Sequence, residues 1–371
     1  MKRIYKIGED VIVYDPGPEM IGFFREIDPS YTVQSIQPRE GFIPRFQSLR
    51  EKKFRVDELL FDMSLKQLKS MLASSKTDGP DAAGSYSYCG LDVLNVVVLK
   101  SLGECDLCQW DCKINRYQDQ GKCGLGIKAF TSNPFIHIAE ETPINPAVVI
   151  NFAGCALRCR YCVEYQNWDI KNLTPANPNK LWTEVAGLLG QGIPVNSLEF
   201  TNPTESLAGL VGILNEAPSS YKLPVVLNCH LFGSRCFYEM ASWIADVWLP
   251  DLRYGNDRCA KSLSGADNYM RHAKDGLEAL LEGGAQVIVR MLVLPGHVGC
   301  CHQPAMELLS AYRQKVWVSV LDQYISEHEA HLDPNLKRRP SSQEISKVEA
   351  LADRYGLRNV ASGCDDFWAF S

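Results

Sequence analysis

No run of about 18 apolar residues interrupts this chain, and its opening, MKRIYKIGEDVIVYDPG, lacks an apolar core of signal-peptide length. Neither a membrane span nor a secretory leader is expected, so the expected location is the cytoplasm. Positive charge is also in short supply. The 38 Lys and Arg stand against 44 Asp and Glu, a net charge of −6, which argues against a nucleic-acid backbone as partner. Charged residues are only 22% of the 371, and hydrophobic ones 46%, the balance of a soluble globular enzyme with a substantial core.

Cysteine is the excess. Fourteen are too many for an ordinary cytosolic protein, and in a reducing compartment they read as metal or redox chemistry rather than disulfides. Seven fall in two tight groups, at 105–123 and 155–162. The others (Cys89, Cys229, Cys236, Cys259, Cys300, Cys301 and Cys364) are scattered, and each alone is expected to be a small buried hydrophobe.

Up to about residue 75 short apolar and polar stretches mix. FRVDELLFDMSLKQLKSMLASS has helical periodicity, with Leu59, Leu60, Met63, Leu65, Leu68 and Leu72 on roughly one side. KTDGPDAAGSYS follows with the composition of a linker. From residue 147 short β-branched runs alternate with amphipathic helices. Strands are expected in AVVINFAG, SLEFTN, PVVLNCH, ADVWLPDLR, AQVIVRMLVLPG and VWVSVLDQY, and helices in PNKLWTEVAGLLGQG, ESLAGLVGILNEA, DNYMRHAKDGLEALLEGG and SSQEISKVEALADRYG. Six β/α repeats predict an α/β fold with parallel strands. That is two short of a closed eight-unit barrel, so a partial barrel or open sheet fits, with chemistry at the C-terminal strand ends. The expected divisions are an extension at 1–80 (a substrate or cofactor module), a cysteine-rich segment at 81–146, the β/α unit at 147–360 and a tail at 361–371. In that tail, SGCDDFWAFS, Trp368 and Phe370 are expected in the core or a lid, and Cys364 is a weak candidate metal ligand.

GCALRCRYCVEYQNWDI places Cys155, Cys159 and Cys162 just beyond the first strand. Structural zinc wants four ligands and disulfides want pairs, so three is an awkward number. A [4Fe–4S] cluster normally takes one cysteine per iron, and three leave one iron open to an exogenous ligand.

This spacing resembles the signature of the radical S-adenosylmethionine superfamily. With HIAEETPINPAVVINFAGCALRCRYC, FTNPTES, VVLNCH, DVWLPDLRYGND, VIVRMLVLPGH and VSVLDQY, the stretch from about 103 to 360 resembles its pyruvate formate-lyase activating enzyme branch. That resemblance implies a partial (β/α)6 radical SAM barrel with an N-terminal extension carrying a four-cysteine metal site. It implies a [4Fe–4S] cluster on Cys155, Cys159 and Cys162, with S-adenosylmethionine chelating the open iron by its amino acid end. One electron then cleaves the sulfonium to a 5′-deoxyadenosyl radical. A low-potential donor such as flavodoxin or ferredoxin and growth without oxygen are implied as well. By position, Tyr161 matches an aromatic beside the adenine, and Asn202, Thr204 and Glu205 match the stretch that holds the methionine amino group. Asp251 and Arg253 match a segment near the methionine end and substrate, and Arg290 and His297 a region near the cofactor carboxylate or ribose.

The chain departs from its relatives in two places. Val163, Glu164 and Tyr165 intervene before QNWDI, which brings Tyr165 into range of the cluster, and the Gly-Gly-Glu-like stretch has become TNPTE. A specialised member is expected.

CDLCQWDCKINRYQDQGKCGLG supplies Cys105, Cys108, Cys112 and Cys123, four ligands within nineteen residues. Zinc, an iron ion or a further iron–sulfur cluster would each be satisfied by this set. The favoured function is hydrogen abstraction from an unactivated C–H bond of a protein or peptide. C-methylation is one outcome, and on an sp3 carbon it would need a donor such as cobalamin, although no Asp-x-His-x-x-Gly sequence occurs. The alternatives are a glycyl-radical enzyme activase and a non-catalytic electron carrier or scaffold.

Overall fold

A computed structural model of the protein describes residues 4–7, 11–14, 41–74, 84, 86–362 and 367–370; Cys364 lies outside them. Strands β1 (Ile4–Ile7) and β2 (Val11–Tyr14) pair as an antiparallel hairpin. Helix α1 (Arg45–Glu51), strand β3 (Lys53–Val56), helix α2 (Leu65–Ala73), strand β4 (Tyr86–Cys89) and helix α3 (Gly90–Ser101) follow.

The periodicity read over 54–75 resolves into a strand and a shorter helix. β3 pairs antiparallel with β4, which draws Phe54 and Val56 into a sheet, and α2 begins only at Leu65. Ser64 sets that start: its hydroxyl accepts from the Gln67 N–H while the Gln67 side chain accepts from the Ser64 N–H, a reciprocal cap. Leu68 and Leu72 face the core, whereas Leu59 and Leu65 are exposed.

Strand β5 (Phe130–Thr131) pairs antiparallel with β8 (Thr174–Pro175). The main sheet has eight strands. β6 (Phe135–His137) lies antiparallel to β7 (Ala147–Asn151), and β9 (Ser197–Thr201), β10 (Val225–His230), β11 (Val247–Asp251), β12 (Gln286–Leu292), β13 (Trp317–Leu321) and β14 (Arg358–Asn359) then follow in chain order, each parallel to the last. All six strands expected from the sequence are present. Helices α4 (Pro178–Leu189), α5 (Leu207–Asn215), α6 (Arg235–Ala241), α7 (Asp257–Ser264), α8 (Tyr269–Glu282), α9 (Gln303–Ser310) and α10 (Ser342–Arg354) make the crossovers. Because spatial order equals chain order, the sheet is singly wound, and it stays open, with β6 and β14 at its edges.

Side chains alternate between faces with period two. Val225, Leu227, Trp248, Val287 and Val289 enter the large core beneath the helices. Val226, Val247, Leu249, Ile288 and Trp317 join a second cluster with Phe367 and Trp368 from the chain's end. Trp368 donates its indole N–H to the Pro143 carbonyl at 3.1 Å, so Trp368 packs as core; the side chain of Phe370 is outside the described residues.

Helix α1 is bound to the ends of the helix layer that lie away from the strand C-termini. Arg50 donates to the carbonyls of Leu214, Asn215 and Ala217 at the end of α5, and Arg45 to those of Ser242 and Gly283 after α6 and α8. A guanidinium at a helix C-terminus satisfies orphan carbonyls and opposes the helix dipole. Arg50→Ala should therefore lower the unfolding free energy by about 2–3 kcal/mol in a urea titration; a loss within about 0.5 kcal/mol would show these carbonyls to be satisfied by water instead.

Candidate active site

The face that carries the second apolar cluster changes character as the strands run upward. On β10 the sequence Val226, Asn228, His230 passes from core to cleft, as do Val247, Leu249, Asp251 on β11 and Ile288, Arg290, Leu292 on β12. Above the apolar layer, Thr201, Asn228, His230, Asp251, Arg290 and Leu292 line a cleft roofed by the cysteine loop. Cys155, Cys159 and Cys162 all line this one cleft, and all three are free thiols.

Backbone bonds hold the loop. Gly154 sits at φ +80°, where a Cβ would come 2.7 Å from the Leu125 side chain, so only glycine turns the chain there. The Gly154 N–H donates to Asn167, the Ala156 N–H to Glu205 Oε1 at 2.8 Å, and the Trp110 indole donates to the Ala156 carbonyl at 2.7 Å. The hydroxyl of buried Tyr254 donates to Cys159 Sγ at 3.3 Å. Burial pushes all three thiols up, Cys162 to about 12, so as a bare trio they are neutral. Cationic metal is what would hold them as thiolates in so dry a place.

The cleft floor is a charged network. Arg290 donates to Asp251 Oδ1 at 3.0 Å, to Asn228 Oδ1 at 2.9 Å and to Glu140 Oε2 at 3.4 Å, while Arg253 donates to Asp251 Oδ2 at 2.6 Å. Burial alone would raise the Asp251 carboxyl, but the Arg253 and Arg290 charges outweigh it and hold the group below its usual range. Glu205 behaves likewise: burial is overcome by His230, 2.9 Å from Oε1, and by the Ala156 N–H.

Glu141 is the counterexample. It is buried beside Glu140, its Oε1 has no hydrogen-bond partner, and burial followed by the Glu140 charge pushes it up to about 8. A carboxyl raised from its unfolded value contributes stability that is full below about pH 4.5 and is lost as pH rises through about 8. Glu141→Gln, neutral at every pH, should thus gain on the native protein between those limits. The gain expected between pH 5 and 8.5 is at least ~1 kcal/mol, one pKa unit's worth, read from urea midpoints; parallel curves would place the proton elsewhere.

The second cysteine group packs against the first. Cys108 pairs with Gly233 in an isolated antiparallel bridge, Gln109 N–H donates to Phe232, and Arg116 donates to the carbonyls of Gly126 and Glu205. Asp111 and Lys113 take left-handed backbone conformations in a tight turn that returns Lys113 N–H to the Cys105 carbonyl. A Cβ on Gly121 would lie 3.3 Å from Cys123 Sγ and 3.6 Å from Cys112 Sγ, so these two sulfurs share the space over that glycine. Burial, then the Glu205 charge, raises Cys108, Cys123 (to about 11) and Cys155 alike, and Glu205 is tied to both groups, accepting from the Ala156 N–H and, at its carbonyl, from Arg116.

Of the residues singled out from the sequence, Tyr161, Asn202, Asp251, Arg253 and Arg290 line the cleft with the three cysteines. Thr204 and Glu205 stand behind the loop, where Thr204 Oγ1 is buried without a hydrogen-bond partner. Tyr165 lies on the rim, stacked on His328 at 4.7 Å, and Trp168 occupies the cleft wall. His297 faces Cys259, Cys300 and Cys301 outside the cleft. The sequence reading missed Glu140, Asn228, His230, Tyr254 and Gln323. A period-two reading of VVLNCH places Asn228 and His230 on one face, the signal that could have found them.

No family model matches the chain. The uncharacterized protein MJ0674 of Methanocaldococcus jannaschii is 29% identical over 275 residues, 71% of this chain and 79% of that protein. Among solved structures, the chain is similar to the radical S-adenosylmethionine methyltransferase TsrM from Kitasatospora setae, with cobalamin and a [4Fe-4S] cluster bound (TM-score 0.34, 16% identity, 47% of this chain and 36% of that one). It is also similar to methylornithine synthase, PylB (TM-score 0.40, 12% identity, 81% and 78%), and to TYW1 with a lysine-pyruvate adduct bound (TM-score 0.34, 10% identity, 55% and 73%). The chain spans little more than a third of the TsrM chain it matches.

Proposed function

We propose that this protein is a radical S-adenosylmethionine enzyme, with a [4Fe–4S] cluster on Cys155, Cys159 and Cys162 and S-adenosylmethionine in the cleft those residues line. The observation that carries this reading is the convergence of three free thiols from one eight-residue loop on a single cleft with a charged floor. The donors fit: they are soft sulfurs, buried or half-buried, with the Arg253 charge favouring the ionised form of Cys159 and Cys162 and the Tyr254 hydroxyl donating to Cys159. When bound, the cluster supplies the electron that cleaves the sulfonium C–S bond of S-adenosylmethionine to a 5′-deoxyadenosyl radical.

The chain's own groups bind, orient and shield. Arg253 and Arg290 present cations to the methionine carboxylate, and Asp251 fixes both guanidinia. Asn202, at φ +56° just past the end of β9, lines the cleft and is placed here to hold the methionine amino group. Tyr161, packed edge-on against Tyr254 and tilted against Tyr324, keeps that wall dry.

The substrate under this proposal is a protein or peptide segment that yields a hydrogen from an unactivated C–H bond. Support comes from a second cavity that adjoins the cleft through Val163, Glu164 and Ile325 and runs between the β5–β6 turn and residues 165–174, a path suited to an extended chain. A low-potential flavodoxin or ferredoxin would supply the electron.

The test is anaerobic reconstitution with iron and sulfide, then dithionite and S-adenosylmethionine, with 5′-deoxyadenosine and methionine quantified. Their formation is expected; a protein that carries four irons and releases neither product would overturn the proposal. Cobalt retained after incubation with cobalamin would assign C-methylation, and a glycyl-radical signal raised on a partner enzyme would assign the activase role.

A further inference from the structure

Away from the cleft, four side chains from two loops meet at one point. Cys259 lies in the first turn of α7, after β11, while His297, Cys300 and Cys301 follow β12. The ligand atoms of these four residues all lie within 4.8 Å of one another. Cys259 Sγ is 3.8 Å from Cys300 Sγ and 3.7 Å from His297 Nδ1, which lies 3.3 Å from Cys300 Sγ and 3.9 Å from Cys301 Sγ. A sulfur pair at that separation is not a disulfide, whose bond is about 2.05 Å. It is instead the edge of a tetrahedron: with Zn–S of about 2.3 Å and Zn–N of about 2.0 Å, ligand atoms stand roughly 3.5–3.8 Å apart.

The backbone is shaped to bring them together. Residues Val298–His302 form one π-helical turn, whose wider spacing turns His297, Cys300 and Cys301 to the same side. His302, next in line, turns away and accepts from the Leu294 N–H at 3.0 Å. Gly255 lets the two loops touch, since a Cβ there would fall 1.9 Å from the Cys301 carbonyl oxygen. Asn256 supports the sulfurs from outside: its Nδ2 donates to Cys259 Sγ at 3.2 Å and Cys301 Sγ at 3.5 Å, and its Oδ1 accepts from the Cys259 N–H at 2.8 Å. Amide donors aimed at cysteine sulfur are what a thiolate ligand set requires of its surroundings.

We infer that Cys259, His297, Cys300 and Cys301 form a Cys3His site for one structural zinc ion, which staples the loop after β11 to the loop after β12. Three sulfurs and one imidazole complete a four-coordinate shell and leave no open position, so the ion braces rather than reacts. The loop it would brace carries Asp251, Arg253 and Tyr254, so zinc here holds the wall of the cleft in place.

Zinc should be counted on the full-length protein before any iron is added, in the native chain and in Cys300→Ser, His297→Gln and Cys108→Ala. Cys300→Ser and His297→Gln should each lose about one equivalent per chain, and the double variant no more than either alone, whereas Cys108→Ala keeps that equivalent. Zinc content unchanged in both Cys300→Ser and His297→Gln would overturn the site. Should those variants fail to fold, thiol mapping on the native chain decides instead. Added zinc should protect Cys259, Cys300 and Cys301 from iodoacetamide and a chelator should expose them together; equal alkylation of Cys300 with and without zinc overturns the assignment.

Discussion

Replacing Cys159 by alanine should abolish formation of 5′-deoxyadenosine, with activity down by more than about 100-fold. Loss of a ligand costs more than loss of an outer partner, which alone typically costs 10–100-fold. Cys159 is the deepest of the three loop cysteines and the one that accepts from Tyr254 at 3.3 Å. Its replacement removes one of three sulfurs around the same cleft, so iron content should fall with activity while the fold persists, because Gly154, Ala156 and Cys162 keep their backbone partners. Tyr254→Phe is the graded control, since it removes a hydrogen bond to sulfur but no ligand. Iron should stay bound there, with activity down about 10-fold, the low end for an outer partner. Product formed by Cys159→Ala at the native rate, with iron retained, would mean that the three thiols do not share a cluster.

How much of this was legible beforehand follows from where the constraints are local. The six parallel strands could be read because central strands buried on both faces are continuous apolar runs, VVLN and VIVRML among them. The cysteine loop could be read because its three sulfurs lie within eight positions on one turn. The Cys259 group could not, although GHVGCC stands in plain view. Its first ligand is 38 positions before the second, and only the adjacency of β11 and β12 brings the loops together. Taken one at a time, Cys259 and Cys301 are buried as expected of lone cysteines, and only the fold shows that they lie beside His297 and Cys300. Glu205 is a candidate for the methionine amino group only through the resemblance of TNPTE to a Gly-Gly-Glu-like stretch; in the structure its carboxylate bonds the Ala156 N–H and His230 behind the loop. A strand end fixes how high a residue sits, and the next loop decides which way its side chain is used. Tyr165, expected within range of the cluster, has its ring stacked on His328, a contact that no local pattern announces.

Arg290→Met should destabilise the protein by about 3–5 kcal/mol at neutral pH, the range for stripping one partner from a buried ion pair. The guanidinium is 12% exposed and serves Asp251, Glu140 and Asn228 at once, with Glu141 and Glu199 also within its field. Methionine fills a similar volume, so the loss is one of charge rather than packing. Asp251 would keep Arg253, which places the effect toward the lower end of the range. The pH dependence separates this account from a packing defect. In the native chain the Asp251 carboxyl is held below its usual value, so its contribution is present above about pH 4 and lost as pH falls through the folded-state value. Removing Arg290 relaxes that depression, so the difference between variant and native stability should be largest near pH 7 and shrink toward pH 3. A deficit that stays constant across that range would show Arg290 acting through its bulk. A deficit confined to neutral pH would also explain why an arginine, costly to bury, stands mid-strand on the floor of a cleft. There it ties Asp251 and Asn228 together across three neighbouring strands.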